Sequence, residues 1–291
     1  MNLVKISGKT QILGVIGDPV THSLSPVMHN AALAEMGLDY VYIPLPIAIA
    51  NLGIATAGLM AIDAVQGFNL TIPHKQEIMP MLAQVSDIAK TVGAVNTVKR
   101  VGNDLIGTNT DVEGFLVPLR KLNRDWQNTP ALILGSGGAA RAVVVACIEI
   151  GCQVVHVVGR DKVKMKRFQA QMTRQIGSYS LRVHTWNSLE NLLEVAGLVV
   201  NATPIGMSDL TRSPLDQAQL QLLPNQAIAY DLIYTPRPTR LLQLAQKRDL
   251  ITIDGLEMLL HQGALALEYW LDRPAPIDVM WQALLDHLAQ T

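Results

Sequence analysis

Residues 131–140 read Ala-Leu-Ile-Leu-Gly-Ser-Gly-Gly-Ala-Ala. A short apolar run, Ala131–Leu134, meets a glycine-rich turn, and an apolar helical pattern continues to Ile150. Gly135-x-Gly137-x-x-Ala140 therefore falls between a predicted strand and a predicted helix, where a dinucleotide fingerprint must lie. The first glycine permits the tight turn, the second lets the backbone approach a pyrophosphate, and the small third residue packs helix on strand. The helix N-terminus adds oriented N–H groups. A bare connecting turn would also explain the glycines, but the match on both sides favours a nucleotide.

The next predicted strand, Val154–Val158, ends at Gly159-Arg160-Asp161, where the adenosine ribose would arrive. An acidic side chain there accepts the ribose hydroxyls of NAD, whereas arginine pairs with the 2′-phosphate of NADP. This chain has both, with Lys162, Lys164 and Lys166 following. Taken singly, each lysine is explained by a solvated helix face.

Outward from this loop, short apolar runs alternate with longer helical patterns. Upstream, strands are expected at Ile12–Ile16, Tyr40–Leu45 and Val65–Ile72. Helices are expected from Ser25 (N-cap, with Pro26 at the first helical position) to Gly37, over Ala48–Ala61, and from about His74 to Val85. Ala94–Val101 and Leu105–Thr108 read as a hairpin around Gly102-Asn103-Asp104. Downstream come strands at Leu198–Asn201, Ala227–Leu232 and Ile251–Ile253, then two helices split by Arg273-Pro274-Ala275-Pro276. Such alternation argues for mainly parallel α/β sheets with a few antiparallel additions. The polar stretch Asn123–Pro130 reads as the hinge side of a boundary between two lobes.

The chain's 291 residues suit two domains, and 49% hydrophobic against 16% charged residues gives ample material for two cores and excludes disorder. A net charge of −1 leaves no electrostatic footprint for nucleic acid or an anionic membrane. No stretch is long and apolar enough for a membrane span, and Ile12–Ile16 is too short for a signal-peptide core, so a cytoplasmic location is expected. Cys147 and Cys152 read as buried free thiols, and no metal cluster is expected.

The first lobe carries four polar clusters in apolar surroundings: His22–Pro26, Asn69–Lys75, Ala94–Thr97 and Gly107–Asp111. Each falls at a strand end or helix start, where ligand groups converge in open α/β sheets. One alone could be an N-cap or a turn. Four in one lobe, beside a nucleotide loop in the next, point to a substrate site.

HSLSP, NLTIPHK, AVNT and GTNTD in the first lobe, GSGGAAR, NATPIGM and YDLIY in the second, and DGLEMLLHQGALALEYW at Asp254–Trp270 carry a resemblance. In that order, over nearly the whole chain, the sequence resembles the shikimate dehydrogenase family. The resemblance implies a two-lobe α/β enzyme, with an N-terminal substrate domain at 1–110 plus 256–291 and a Rossmann-type dinucleotide-binding domain at 111–255. It implies NADP-dependent reduction of 3-dehydroshikimate to shikimate, on the route to aromatic amino acids, by a monomer or homodimer. Carried over by residue, it makes Ser23, Ser25 and Tyr234 the holders of the substrate carboxylate. Thr71, Asn96, Asp111 and Gln262 would bond the ring hydroxyls, and Lys75 with Asp111 would form the acid-base pair. Gly135, Ser136, Gly137, Gly138 and Ala139 would cradle the pyrophosphate, Arg160 would meet the adenosine end, and Leu232 and Gly255 would line the nicotinamide side.

Such a lysine meets two opposed effects, since desolvation lowers a lysine's pKa and a neighbouring carboxylate raises it. Gly159-Arg160-Asp161 departs from the Asn-Arg-Thr common in NADP-using members, and Asp161 keeps NAD and quinate open. From other classes, an S-adenosylmethionine-dependent methyltransferase would explain the glycine loop but leave Lys75, Asp111 and the serines idle. A silent dinucleotide sensor would have no need of a proton-transfer pair.

Overall fold

In the computed structural model, which describes residues 6–177 and 181–290, two six-stranded sheets organise two units. One unit holds the residues up to Lys90, Ala94–Thr110 and those from Leu260 onward; the other holds Thr91–Gly93 and Asp111–Leu259.

The first unit contains β1 (Gln11–Gly17), α1 (Ser25–Glu35), β2 (Tyr40–Pro46), α2 (Leu52–Met60), β3 (Val65–Leu70), β4 (Gln84–Val85), β5 (Thr97–Val101) and β6 (Asp104–Thr108). The short α3 (Asp87–Val92) precedes β5. The strand order is β2-β1-β3-β5-β6-β4. Only β5 runs against its neighbours. That reversal brings the start of β5 to the edge where β3 and β6 finish, with Asn69 opposite Thr97 and Thr97 opposite Thr108.

Two local expectations give way. The segment from His74 to Val85 is a run of turns with one 3-10 turn at Met79–Met81, ending in β4, rather than an α-helix. Pro80 has no N–H to continue a helical ladder, and the Lys75 carbonyl is taken by the Val95 N–H at 2.7 Å. Ser25 is the first helical residue of α1 rather than its N-cap: Leu24 holds that place without a side-chain bond, and the Ser23 Oγ accepts the Ser25 N–H at 3.3 Å.

The second unit contains α4 (Asp111–Arg120), β7 (Ala131–Leu134), α5 (Gly138–Glu149), β8 (Val155–Gly159), α6 (Lys162–Ile176), β9 (Leu181–Thr185), α7 (Leu189–Leu193), β10 (Leu198–Asn201), α8 (Gln217–Gln221), β11 (Ile228–Asp231), α9 (Arg240–Gln246) and β12 (Ile251–Ile253). All five ladders are parallel, in the order β12-β11-β10-β7-β8-β9. This is the doubly wound dinucleotide-binding order, with its switch point between β7 and β10. Successive side chains of a strand face opposite ways. Leu132, Leu134, Val199 and Ala229 accordingly join one buried cluster with leucines of α7, α8 and α9, while Phe115 of α4 stacks on Tyr230 with ring centroids 4.7 Å apart. Asn123–Pro130 lies inside this unit and is no boundary: Arg124 bonds the Gln226 carbonyl at 2.9 Å and Thr129 Oγ1 at 3.1 Å. Cys147 and Cys152 are buried and free.

Two further helices, α10 (Gly255–Leu271) and α11 (Ile277–Leu288), end the described chain. Trp270 of α10 donates its indole N–H to the Val98 carbonyl at 2.8 Å. It also joins an aromatic group in which His29 stacks on Tyr42, centroids 4.3 Å apart. His29 is fully buried and neither ring nitrogen has a partner among the described residues.

Burial holds the His29 imidazole down to about 3. A folded pKa below the ordinary value of about 6.5 means that the unfolded chain binds the extra proton, so this contribution to stability is whole above about pH 6.5 and is lost as pH falls toward 3. The slope is at most about 1.4 kcal/mol per pH unit. In urea unfolding between pH 6.5 and 4.5, His29→Leu should lose less stability than the unsubstituted chain. An unchanged pH slope would show that the imidazole takes up its proton equally in the folded and unfolded states, so that burial does not hold it neutral.

Candidate active site

At the first sheet's edge the strands end in polar side chains, and these bond to one another. Tyr42 donates from Oη to Asn69 Oδ1 at 2.7 Å. Asn69 Nδ2 donates to the Asn96 carbonyl at 3.1 Å and to Thr97 Oγ1 at 3.0 Å. Asn96, 2% exposed, accepts at Oδ1 from Thr97 Oγ1 at 3.0 Å and from the Thr110 N–H at 2.8 Å. Its Nδ2 donates to Thr110 Oγ1 at 2.9 Å and to Gln262 Oε1 at 3.3 Å. Sequence reasoning singled out Asn96 and Gln262 but left Tyr42, Asn69, Thr97 and Thr110 without a role. Asn69, Thr97 and Thr110 stand within the polar clusters at strand ends and starts, whereas Tyr42 lies inside β2 and carries no such signal.

The other first-unit candidates hang from the same edge. Thr71 and Lys75 occupy the turns after β3, both half-buried, and the Thr71 N–H bonds the Ile16 carbonyl at 2.9 Å. The loop after β1, leading to Ser23 and Ser25, is tied to them by the Asp18 N–H on the Ile72 carbonyl at 3.0 Å. Ser25 is buried and Ser23 half-buried. His74 Nε2 lies 2.7 Å from the Ile47 carbonyl, fixing the residue beside Lys75. Thus Ser23, Ser25, Thr71, Lys75, Asn96 and Gln262 belong to one edge, where the reversed β5 contributes its start.

In the second unit, the loop after β7 has the features a pyrophosphate needs. Gly135 has φ +108°, and a Cβ there would stand 3.0 Å from the Ala202 carbonyl oxygen. Gly137 caps α5 without any side-chain bond, and a Cβ on it would meet nothing within 4 Å. The first-turn N–H groups of α5 are therefore left for an anion. Ala140 is fully buried against the sheet. The donor set fits a dinucleotide phosphate.

At the adenosine end, Arg160, Lys162, Lys164 and Lys166 are exposed. Asp161 serves its own helix: its Oδ1 accepts the Val163 N–H at 2.8 Å and the Lys164 N–H at 3.0 Å, capping α6. Those amides hold its carboxyl below the ordinary range. The cap accounts for an acidic residue here without a ribose.

Asp111 opens α4 and is 3% exposed. Tyr234 is half-buried in the loop after β11. A Cβ on Gly255 would fall 2.1 Å from the Leu232 carbonyl oxygen, so only glycine lets α10 begin against that segment. Beneath it lies a buried group that sequence reasoning quoted within NATPIGM and YDLIY but assigned no role. Asp231 accepts from Asn201 Nδ2 at 2.9 Å, the Ile233 N–H at 3.1 Å and Thr239 Oγ1 at 2.7 Å. Burial raises the Asp231 carboxyl to about 6 against the pull of these donors. Asn201 Oδ1 accepts from the Thr203 N–H at 3.0 Å, and Asn201 Nδ2 reaches the Ile205 carbonyl at 3.2 Å.

A doubly wound sheet with a glycine-opened helix, joined in one chain to a unit edged with hydroxyl and amide groups, defines a two-domain nicotinamide-dependent dehydrogenase. Family models for the shikimate dehydrogenase substrate binding domain, shikimate/quinate 5-dehydrogenase and the shikimate 5′-dehydrogenase C-terminal domain match residues 15–98, 119–259 and 255–285. The chain belongs to the shikimate dehydrogenase family. It is 55% identical to "Shikimate dehydrogenase (NADP(+))" of Microcystis aeruginosa, over 96% of this chain and 98% of that one. Among solved structures it is similar to shikimate dehydrogenase of Aquifex aeolicus (TM-score 0.86, 36% identity, 96% of this chain and 99% of that one). It is also similar to the Thermus thermophilus enzyme in complex with NADP(H) and shikimate (TM-score 0.82, 35% identity, 95% and 99%). Family membership removes the methyltransferase alternative. No helix among the described residues is long and apolar enough to cross a membrane, and none of their His, Cys, Asp and Glu side chains group in threes to hold a metal.

Asn96→Ala should strand the buried Thr110 N–H, an unpaired polar group costing about 1–3 kcal/mol, and leave the Thr110 hydroxyl only its 3.4 Å contact with Thr97 Oγ1, while Thr97 Oγ1 and Gln262 Oε1 each lose a partner. Urea unfolding should show a loss of at least about 2 kcal/mol. A loss under about 0.5 kcal/mol would mean that the edge does not depend on this side chain.

Proposed function

We propose that the chain catalyses the reversible, NADP-dependent reduction of 3-dehydroshikimate to shikimate, a step of the shikimate pathway toward aromatic amino acids. The observation carrying this reading is the sheet edge where Ser23, Ser25, Thr71, Asn96 and Gln262 gather with Lys75, in a member of this family. A small polyhydroxy acid presents one carboxylate and several hydroxyls. Its site needs several neutral donors and acceptors, and an analogue that leaves one unpaired is rejected. In this reading Ser23 and Ser25, with Tyr234, hold the carboxylate, and Thr71, Asn96, Asp111 and Gln262 bond the ring hydroxyls. The same reading takes the enzyme as cytoplasmic, a monomer or homodimer.

When bound, the cofactor supplies the hydride for reduction and accepts it in the reverse direction. Gly135, Ser136, Gly137, Gly138 and Ala139 would hold its pyrophosphate, and Leu232 and Gly255 would line the nicotinamide side. Arg160, with Lys164, would face the 2′-phosphate. The oxygen that becomes a hydroxyl needs a proton, which Lys75 Nζ gives; in the reverse direction Lys75 takes it back. In this reading Asp111 is the acid-base partner of Lys75. The deciding experiment is a set of rates for the four pairings of NADP or NAD with shikimate or quinate. NADP with shikimate should be fastest.

Lys75→Ala should lower kcat on the order of a hundred- to ten-thousand-fold while shikimate binding changes little. A fall below about tenfold would assign the proton to another group or to water.

Arg160→Ala should weaken NADP by roughly ten- to a hundredfold, because bonds to charged groups contribute about 1.5–3 kcal/mol. NAD, lacking the phosphate, should lose far less. Equal losses in titrations of both cofactors would leave Arg160 as a stacking surface for adenine.

A further inference from the structure

We infer that Asp231 is a positioning residue for the nicotinamide side of the cofactor site. The inference rests on the reading that Leu232 and Gly255 line that side. Asp231 is fully buried at the end of β11. Its two oxygens collect donors from three separate places: Asn201 at the end of β10, the Ile233 amide two residues on, and Thr239, the N-cap of α9.

Each donor fixes a different piece of one rim. Asn201 holds Thr203 and Ile205, and the neighbouring Ala202 carbonyl bounds the space beside Gly135 in the phosphate loop. The Ile233 amide sets the backbone next to Leu232, whose carbonyl already stands where a Gly255 Cβ would fall. Thr239 anchors the far end of the 232–238 loop. A carboxylate is costly to bury, and it is stable here because three donors meet it. Asp231→Asn would put an NH2 where an acceptor now stands, so that Thr239 Oγ1 could no longer donate there and would have to turn to accept. Small displacements of groups that orient a reacting centre cost rate steeply.

The test compares Asp231→Asn and Thr239→Val in the full chain, with Thr239→Ser as the conservative variant. Four quantities are measured: kcat, KM for shikimate, and equilibrium dissociation constants for NADP+ and for adenosine 2′,5′-bisphosphate, which carries the adenosine end alone. The expected result is a drop in kcat, in NADP+ affinity or in both of about tenfold or more in Asp231→Asn and Thr239→Val, with the bisphosphate constant and the shikimate KM within about twofold. Thr239→Ser should restore both. If NADP+ and the bisphosphate weaken in parallel, the group merely holds the unit together and the inference is overturned. Turnover within about threefold of the unsubstituted chain in the folded variants overturns it as well. Should Asp231→Asn not fold, Thr239→Val decides alone. An unsubstituted chain that does not turn over shikimate with NADP+ removes the proposed function, and this inference with it.

Discussion

The side-chain amide of Asn96 is the joint on which the first unit's rim depends. A carboxamide offers two hydrogens and two acceptor sites, and here both ends are taken, by Thr97, Thr110 and Gln262. Through these bonds the start of β5, the end of β6 and helix α10 are held to one geometry. The Asn96 carbonyl adds β3, through the Asn69 side chain and the Leu70 N–H. Where a sheet ends, its ladder leaves backbone groups over, and in a buried place they must find other partners. Polar side chains at this rim are thus required by the fold before any substrate is considered. A site that binds hydroxyls draws on the same stock of groups.

The second unit meets the same constraint with a different pair. Asn201 stands at the end of β10 as Asn96 stands at the start of β5, and again an amide side chain takes up loop groups the ladder cannot reach. Its partner is a buried carboxylate rather than hydroxyls, so this rim carries a stored preference for donors. The glycines do complementary work. Gly135 and Gly255 keep side chains out of places where carbonyl groups of neighbouring loops already stand.

Much of this was legible in the sequence. Alternating short apolar runs and helical periods gave two α/β units, and the glycine loop gave the start of the doubly wound sheet. Gly102-Asn103-Asp104 marked the β5–β6 hairpin. The span from His74 to Val85 misled because its apolar spacing suits a helix, while Pro80 and the distant Val95 N–H decide otherwise. Strand β9 escaped notice because Leu181–Thr185 sits at a sheet edge and carries Arg182 and His184. Asp161 was read by its charge, whereas the structure uses its geometry, as a helix cap. Asn201 and Asp231 were visible only as letters in motifs. Their partnership spans 30 residues of chain, and no local pattern announces it.

The division of the chain also sets an order of assembly. The second unit is almost contiguous, Asp111–Leu259, whereas the first is completed only by residues from Leu260 onward, including Trp270 and the helix α11 that packs on α1. A ribosome adding roughly 5–20 residues per second needs on the order of ten to thirty seconds to travel from Thr110 to the end of α11. During that interval the nascent first sheet waits with its aromatic face open while the later-made unit can already close. The part synthesised first is therefore the part that finishes last.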